Sequence, residues 1–82
     1  MPSQAPRHIK SIIGSNIKAA REAKNLTQRG LGQAMNVDPQ YVSRWERGVV
    51  LPSPGNVQTL IAHLSIDMGW LYTDHEPEDV AA

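Results

Sequence analysis

The fold is decided by residues 27–48, TQRGLGQAMNVDPQYVSRWERG, where two short amphipathic patterns are separated by a break of a few residues. In the first pattern Leu31, Ala34 and Met35 recur at three- and four-residue spacing, which predicts a helix with one face in the core. In the second pattern Val42 and Trp45 lie three residues apart, which predicts another helix with its own buried face. Two short helices joined this closely predict a helix-turn-helix.

The boundaries of both predicted helices carry signals of their own. The Thr27 hydroxyl is placed to cap the first helix, and Asn36 stands where a left-handed residue often ends one. Asp38 and Pro39 mark the start of the second helix, because a carboxylate caps free N–H groups and the fixed φ of proline suits the first helical position. Gly48 closes the second helix.

The outer surface of the second helix is predicted to carry Gln40, Tyr41, Ser43 and Arg44. Glutamine pairs bidentately with adenine and arginine with guanine, whereas serine and tyrosine bond phosphates. This surface is therefore suited to reading the major groove, and the alternative is an ordinary exposed helix face. Three roles stay open for Tyr41: contact with a thymine methyl, a bond to phosphate, or shielding of the helix.

A set of residues in and beyond this stretch occurs together in one known family. They are Thr27 and Gln28, Leu31 and Gly32, Val37, Val42, SRWERG at residues 43–48, and Trp70 and Leu71. With them the chain resembles the phage-repressor (Xre/Cro/CI-type) family over about residues 13–74. The resemblance implies an all-α fold, a compact five-helix repressor-like domain with a central helix-turn-helix, usually acting as a dimer on a two-fold-related operator.

The resemblance also implies roles for individual residues. It places Gln40, Tyr41 and Arg44 over base edges. The phosphate contacts that it implies come from Thr27, Gln28, Ser43 and Arg47. It further suggests a structural ion pair between Arg21 and Glu46, which would tie the first helix of the domain to the end of the recognition helix.

Apolar residues outside the motif raise the question of an interface. Met68, Leu71 and Tyr72 lie on a predicted last helix, where a homodimer interface and burial within one chain are both open interpretations. The chain also departs from the family after Gly48, where residues 49–51 read VVL and many relatives have Lys or Arg to hold phosphate. These residues would extend a dimer interface.

Further helical patterns flank the motif. Ile13, Ile17 and Ala20 predict an opening helix that runs to about Lys24. A fourth helix is predicted from four apolar residues at i, i+3, i+4 and i+7, namely Val57, Leu60, Ile61 and Leu64. Asp67 is expected to cap the short fifth helix. The predicted organisation is a flexible N-terminal arm over 1–8, a helix-turn-helix DNA-binding domain over 9–74, and an acidic C-terminal tail over 75–82.

Charge is sorted along the 82 residues, although the formal net charge is zero. All eight lysines and arginines lie within residues 1–47 beside three acids, a net charge of +5, and five acids with no base follow, a net charge of −5. The basic part coincides with the motif, which favours a nucleic-acid partner over a merely solvated surface. Arg7 and Lys10 are candidates to follow the DNA backbone from the arm.

Composition argues against several other classes of protein. The chain has no cysteine, and its three histidines are scattered, so we expect no metal site and no cofactor. No nucleophile has a base at a recognisable spacing, so we expect no enzyme. No apolar run approaches the roughly 20 residues that span a bilayer, and we expect a cytoplasmic protein without a membrane segment.

Together these patterns predict a sequence-specific transcriptional regulator. The expected partner is double-stranded DNA, bound at a palindromic operator by a homodimer that acts as a repressor. The alternative is a protein-interaction module of the same fold, such as an antitoxin or an assembly adaptor, whose apolar loop and acidic tail meet a partner protein.

Overall fold

The computed structural model describes residues 7–75, and within that range the chain forms helices and no strand. The five helices are α1 (Ile9–Ala23), α2 (Gln28–Met35), α3 (Pro39–Glu46), α4 (Pro54–Leu64) and α5 (Met68–Leu71). The all-α, five-helix prediction is confirmed. The predicted arm and acidic tail lie almost wholly outside the described residues.

Every helix contributes to one apolar core. The largest fully buried side chains are Ile13 and Ile17 from α1, Leu31 from α2, Val42 from α3, Leu60 from α4 and Leu71 from α5. Burying a side chain of this size contributes about 1.5 to 3 kcal/mol relative to leaving it exposed. Within this core α3 packs directly on α1 and α2, and the core also contains Trp45 as predicted.

The core face of α2 differs from the prediction at one position. Ala34 is exposed, so its assignment to the core is wrong, and Gly32 is buried instead. A Cβ atom at Gly32 would lie 2.8 Å from the carbonyl oxygen of Val37 and 3.2 Å from Cα of Pro39. Because the backbone of α2 is packed this closely against the turn and the start of α3, only glycine leaves room.

The predicted boundaries of α2 and α3 are confirmed. The Thr27 hydroxyl accepts a hydrogen bond of 2.9 Å from the Gly30 N–H, and the Asp38 carboxylate accepts one of 2.9 Å from the Gln40 N–H. Asn36 has a φ of 63°, the left-handed conformation expected at the turn. Local side-chain chemistry therefore fixes both helix starts and the turn between them.

The end of α3 has the hydrogen bonds of a Schellman motif. Gly48 has a φ of 73°, its N–H donates to the Trp45 carbonyl, and the Val49 N–H donates to the Arg44 carbonyl. These bonds satisfy carbonyl groups that would otherwise lack partners at the helix end. Asn25 and Ser65, with φ values of 59° and 58°, end α1 and α4 in the same conformation without having been predicted.

The start of α5 corrects a second prediction. Asp67 stands at the N-cap position, but within residues 7–75 its side chain makes no capping hydrogen bond. Instead α5 is held from its far end by Asn16 on α1, whose buried side-chain amide donates to the carbonyls of Leu71 and Thr73, both at 2.8 Å, and of Trp70 at 3.3 Å. The position of α5 thus depends on a residue more than 50 positions earlier.

The segments that flank the helices meet on this same side of the molecule. Arg7 forms an ion pair with Asp74 at 2.9 Å and donates to the Ser15 hydroxyl at 3.0 Å. His75 stacks on Trp70 with ring centroids 4.6 Å apart. Arg7, which we expected to follow the DNA backbone, is therefore held against the segment after α5.

Candidate nucleic-acid interface

The two faces of α3 divide cleanly between core and solvent. Val42 and Trp45 point inward and are buried. Gln40, Tyr41 and Arg44 are exposed, and Tyr41 keeps half of its surface accessible. The structure therefore brings the three predicted base-contacting residues together on one open face of a short helix.

A close backbone contact sets the position of the carboxyl end of α3. A Cβ atom at Gly14 on α1 would overlap the carbonyl oxygen of Trp45 and lie 2.8 Å from that of Glu46. Only a residue without a side chain permits α1 to approach these carbonyl groups so closely. The rigid α1 helix thereby fixes where α3 stands.

A buried ion pair reinforces this contact. Arg21 on α1 donates to the Glu46 carboxylate through Nε at 2.6 Å and Nη2 at 3.0 Å, and through Nη1 to the Leu26 carbonyl at 2.7 Å. The hydrogen bond to Glu46 raises the pKa of Arg21 above its usual value, while burial acts in the opposite direction. The predicted pair is thus present and bidentate, the geometry in which arginine binds carboxylate most strongly.

The start of α2 joins the same network. The Gln28 side chain donates from Nε2 to Glu46 Oε1 at 3.0 Å, and Thr27 caps the helix with its hydroxyl oxygen. Both side chains lie at the helix N-terminus where the phosphate contacts were predicted, but each has a partner within the chain. Each side chain carries one further donor, namely the second amide hydrogen of Gln28 and the hydroxyl hydrogen of Thr27.

The outward cations on α3 and at its C-cap, Arg44 and Arg47, each have a neighbour about one turn earlier. The Arg44 guanidinium carbon lies 6.0 Å from the centroid of the Tyr41 ring. Arg47 donates from Nε to the Ser43 hydroxyl at 3.2 Å, so Ser43 contacts the predicted phosphate-binding arginine directly. Each arginine is thus supported by one neighbouring side chain. We call these two contacts, Tyr41 with Arg44 and Ser43 with Arg47, the arginine pairs.

Two groups of exposed apolar residues lie outside α3. Val49, Val50 and Leu51 keep 40% to 54% of their surface exposed in the loop after it. On α5 and its C-cap, Met68 and Tyr72 are similarly exposed, but Leu71 is fully buried in the core of its own chain. Leu71 is therefore inaccessible to a second copy, and its assignment to the dimer interface is wrong.

Sequence reasoning missed the contacts that join distant positions. The Gln28–Glu46 hydrogen bond and the capping of α5 by Asn16 link residues far apart in the chain. The signal that could have revealed the contact of Asn16 was its position as a polar residue inside the apolar pattern of α1.

The described residues contain no group of three metal-ligating side chains placed to hold an ion, and none of their helices is long and apolar enough to cross a membrane.

Comparison with known proteins identifies the family. Residues 17–71 match the model of the helix-turn-helix family HTH_3, a range that covers all of α2, α3 and α4. The chain is also 29% identical over 69 residues to an uncharacterized HTH-type transcriptional regulator, y4wC of Sinorhizobium fredii. That match covers 84% of this chain but 48% of the relative, so the chain spans about half the length of the curated relative it matches.

Solved structures of similar fold include two restriction-modification controller proteins. C.AhdI from Aeromonas hydrophila is 30% identical, with a TM-score of 0.71 over 77% of this chain and 96% of that one. C.Esp1396I, solved as a tetramer with its natural 35 base-pair operator, is 22% identical, with a TM-score of 0.68 over 82% of this chain and 88% of that one. The second likeness concerns the fold alone.

Proposed function

This chain belongs to the helix-turn-helix family, and on that premise we propose that it is a sequence-specific DNA-binding transcriptional regulator, most simply a repressor. The observation that carries the proposal is the open face of α3, where Gln40 and Arg44 project outward while Val42 and Trp45 anchor the helix in the core. Support comes from C.Esp1396I, whose similar fold was solved on operator DNA.

In the proposed complex α3 enters the major groove. Arg44 pairs with the O6 and N7 atoms of a guanine and Gln40 with an adenine, because these side chains match the hydrogen-bonding pattern of those bases. The proposed phosphate contacts are made by Thr27, Gln28, Ser43 and Arg47. The ion pair of Arg21 with Glu46 acts on the structure and not on DNA.

We propose further that the regulator works as a homodimer in the cytoplasm. Two copies of α3 would read half-sites of a palindrome about 34 Å apart, one turn of the double helix. Met68 and Tyr72 are the exposed residues that we assign to the contact between copies, together with the exposed residues 49–51. The DNA-binding unit is residues 9–74, and a dimer on a promoter would block transcription without any catalytic step.

Selection of bound DNA from a randomised library tests this function. A palindromic consensus is the expected result, because two copies of one reading helix impose two-fold symmetry on the site. On that site Arg44→Ala should cost about 1 to 3 kcal/mol at one base pair and remove discrimination there. Equal weakening on the operator and on a scrambled duplex in a gel-shift titration would contradict the role of Arg44 in base recognition.

Arg47→Ala provides the contrasting measurement. Removal of a phosphate contact should weaken all sequences alike and reduce the slope of log K against log salt by about one unit. Lys24→Ala is the control for lost charge, since the Lys24 ammonium donates to the Ser65 hydroxyl at the end of α4, 3.1 Å away. An unchanged salt slope for Arg47→Ala would remove Arg47 from the phosphate contacts.

The exposed residues 49–51 favour one alternative function. Three apolar side chains stand directly after α3, where they could meet a partner protein. A protein-interaction module, such as an antitoxin or assembly adaptor, would use this surface. If the randomised library shows no enrichment even at low salt, this alternative replaces the regulator.

A further inference from the structure

The base-reading face of α3 contains one aromatic residue whose role the fold does not explain. Tyr41 is half-exposed and contributes nothing to the core. Within residues 7–75 its hydroxyl makes no hydrogen bond, and its ring faces the Arg44 guanidinium, whose carbon lies 6.0 Å from the ring centroid. The two residues are three positions apart, so they are neighbours on the helix surface.

The electrostatics of this contact favour an ordered arginine. The face of an aromatic ring carries negative charge density that attracts a guanidinium placed over it. A free arginine side chain has several rotatable bonds, and the entropy lost when they are ordered opposes binding. A ring that already restricts Arg44 reduces that cost when the guanidinium meets a base.

The second arginine pair shows the same arrangement with different chemistry. Ser43 accepts from Nε of Arg47, a hydrogen bond that leaves both terminal NH2 groups of that guanidinium free to contact phosphate. In each pair the supporting residue lies one turn closer to the start of α3. In the absence of DNA, α3 and its C-cap thus present two cations that each contact a supporting side chain.

We propose that Tyr41 is a positioning residue that acts through Arg44: its ring, and not its hydroxyl, holds the guanidinium for base recognition. This inference rests on the proposed function and gives Tyr41 a role that differs from the three that the sequence left open. It makes Tyr41 a determinant of specificity at the base pair that Arg44 reads, without a base contact of its own.

Two substitutions separate the ring from the hydroxyl. Tyr41→Phe keeps the ring and should bind the selected operator within about twofold of the wild type. Tyr41→Leu removes the ring face and should bind about 2- to 5-fold more weakly, which corresponds to a cation–π contact at an exposed site. Affinities are measured by fluorescence anisotropy on the selected operator and on a duplex altered at the base pair that Arg44 reads.

Affinities measured in the Arg44→Ala background distinguish the positioning of Arg44 by Tyr41 from a merely structural role of Tyr41. There Tyr41→Phe and Tyr41→Leu should bind equally, because the residue that the ring positions is gone. On the altered duplex the Tyr41→Leu penalty should also disappear. Thermal unfolding of each variant verifies that the half-exposed position leaves the fold intact.

Three results would overturn the inference. Tyr41→Phe binding as weakly as Tyr41→Leu would assign the role to the hydroxyl, as a direct contact with DNA. A Tyr41→Leu penalty that persists in the Arg44→Ala background would show that the ring acts without Arg44. If the wild-type protein selects no sequence at all, the proposed function itself fails, a result distinct from the first two because no operator then exists.

Discussion

The helix-turn-helix region and α5 both pack on α1, the former through α3, but their boundaries are held in opposite ways. Residues at their own boundaries fix α2 and α3: Thr27 and Asp38 cap them, and Asn36 and Gly48 end them. The four-residue α5 lacks a side-chain cap within the described range, and Asn16 on α1 binds its last carbonyl groups. The boundaries of α2 and α3 are therefore fixed locally, whereas α5 is held by a distant residue.

This difference matches what each region does in the molecule: α3 is held at a defined orientation, whereas α5 is attached to the core. A recognition helix must present its side chains at defined positions, and local caps together with the Arg21–Glu46 pair give α3 a fixed start, end and orientation. By contrast α5 covers the core with Leu71 and leaves Met68 and Tyr72 exposed. We therefore expect that the contacts of α5 can be weakened without changing α3.

The largest effect is expected where the backbone of α3 meets α1. Gly14→Ala should lower the free energy of unfolding by about 3 kcal/mol, because the added methyl group overlaps the carbonyl oxygen of Trp45 and neither backbone can move cheaply. Urea denaturation followed by circular dichroism measures the change. Operator affinity should fall as well, since relief of the clash must displace α3.

The matched control for this substitution lies on α5. A Cβ atom at Gly69 would meet nothing within 4 Å among the described residues. Gly69→Ala should therefore raise stability by up to about 1 kcal/mol through helix propensity alone. A destabilisation by Gly14→Ala no larger than the change at Gly69 would show that α1 and α3 are not locked together as the structure indicates.

An intermediate effect is expected at the remote anchor of α5. Asn16→Ala leaves the carbonyl groups of Leu71 and Thr73 without their donor and should cost about 2 kcal/mol. The loss should be local: amide hydrogens of α5 should exchange roughly 30-fold faster, whereas those of α3 keep their protection. Hydrogen exchange followed by NMR resolves the two helices.

The control for Asn16 is the same substitution at Asn56 on α4, whose side chain is only partly buried. Asn56→Ala should leave exchange in α5 unchanged. If Asn16→Ala accelerates exchange in α3 as much as in α5, the two regions form one cooperative unit and the distinction between them does not hold.

The same division explains which parts of the structure the sequence predicts. Helix periodicity and capping residues operate over a few positions, so Thr27, Asn36 and Asp38 indicate the boundaries of α2 and α3 correctly. They also suffice to place Gln40 and Arg44 on an exposed face, because Val42 and Trp45 identify the buried one.

What the sequence does not reveal depends on contacts between distant residues. The burial of Gly32 in place of Ala34 follows from the approach of the turn and α3 to the backbone of α2, which periodicity within α2 does not encode. The sequence does not decide whether Leu71 lies in the core or in an interface, because its burial depends on how α5 packs against α1. Similarly, the bond between Gln28 and Glu46 exists only once α3 returns to the start of α2.

The smallest effect on stability is expected at the N-cap positions of α2 and α5, where the same substitution compares the two regions directly. Thr27→Ala removes a formed cap and should cost about 1 kcal/mol, because the Gly30 N–H loses its acceptor. Asp67→Ala removes a residue at the same position of α5 that makes no such bond in the part of the chain described, so stability should change by less than about 0.5 kcal/mol. Urea denaturation without DNA measures both, which keeps any phosphate contact of Thr27 out of the result. Equal losses would mean that the Asp67 carboxylate caps α5 in solution, and α5 would then be specified locally like α2.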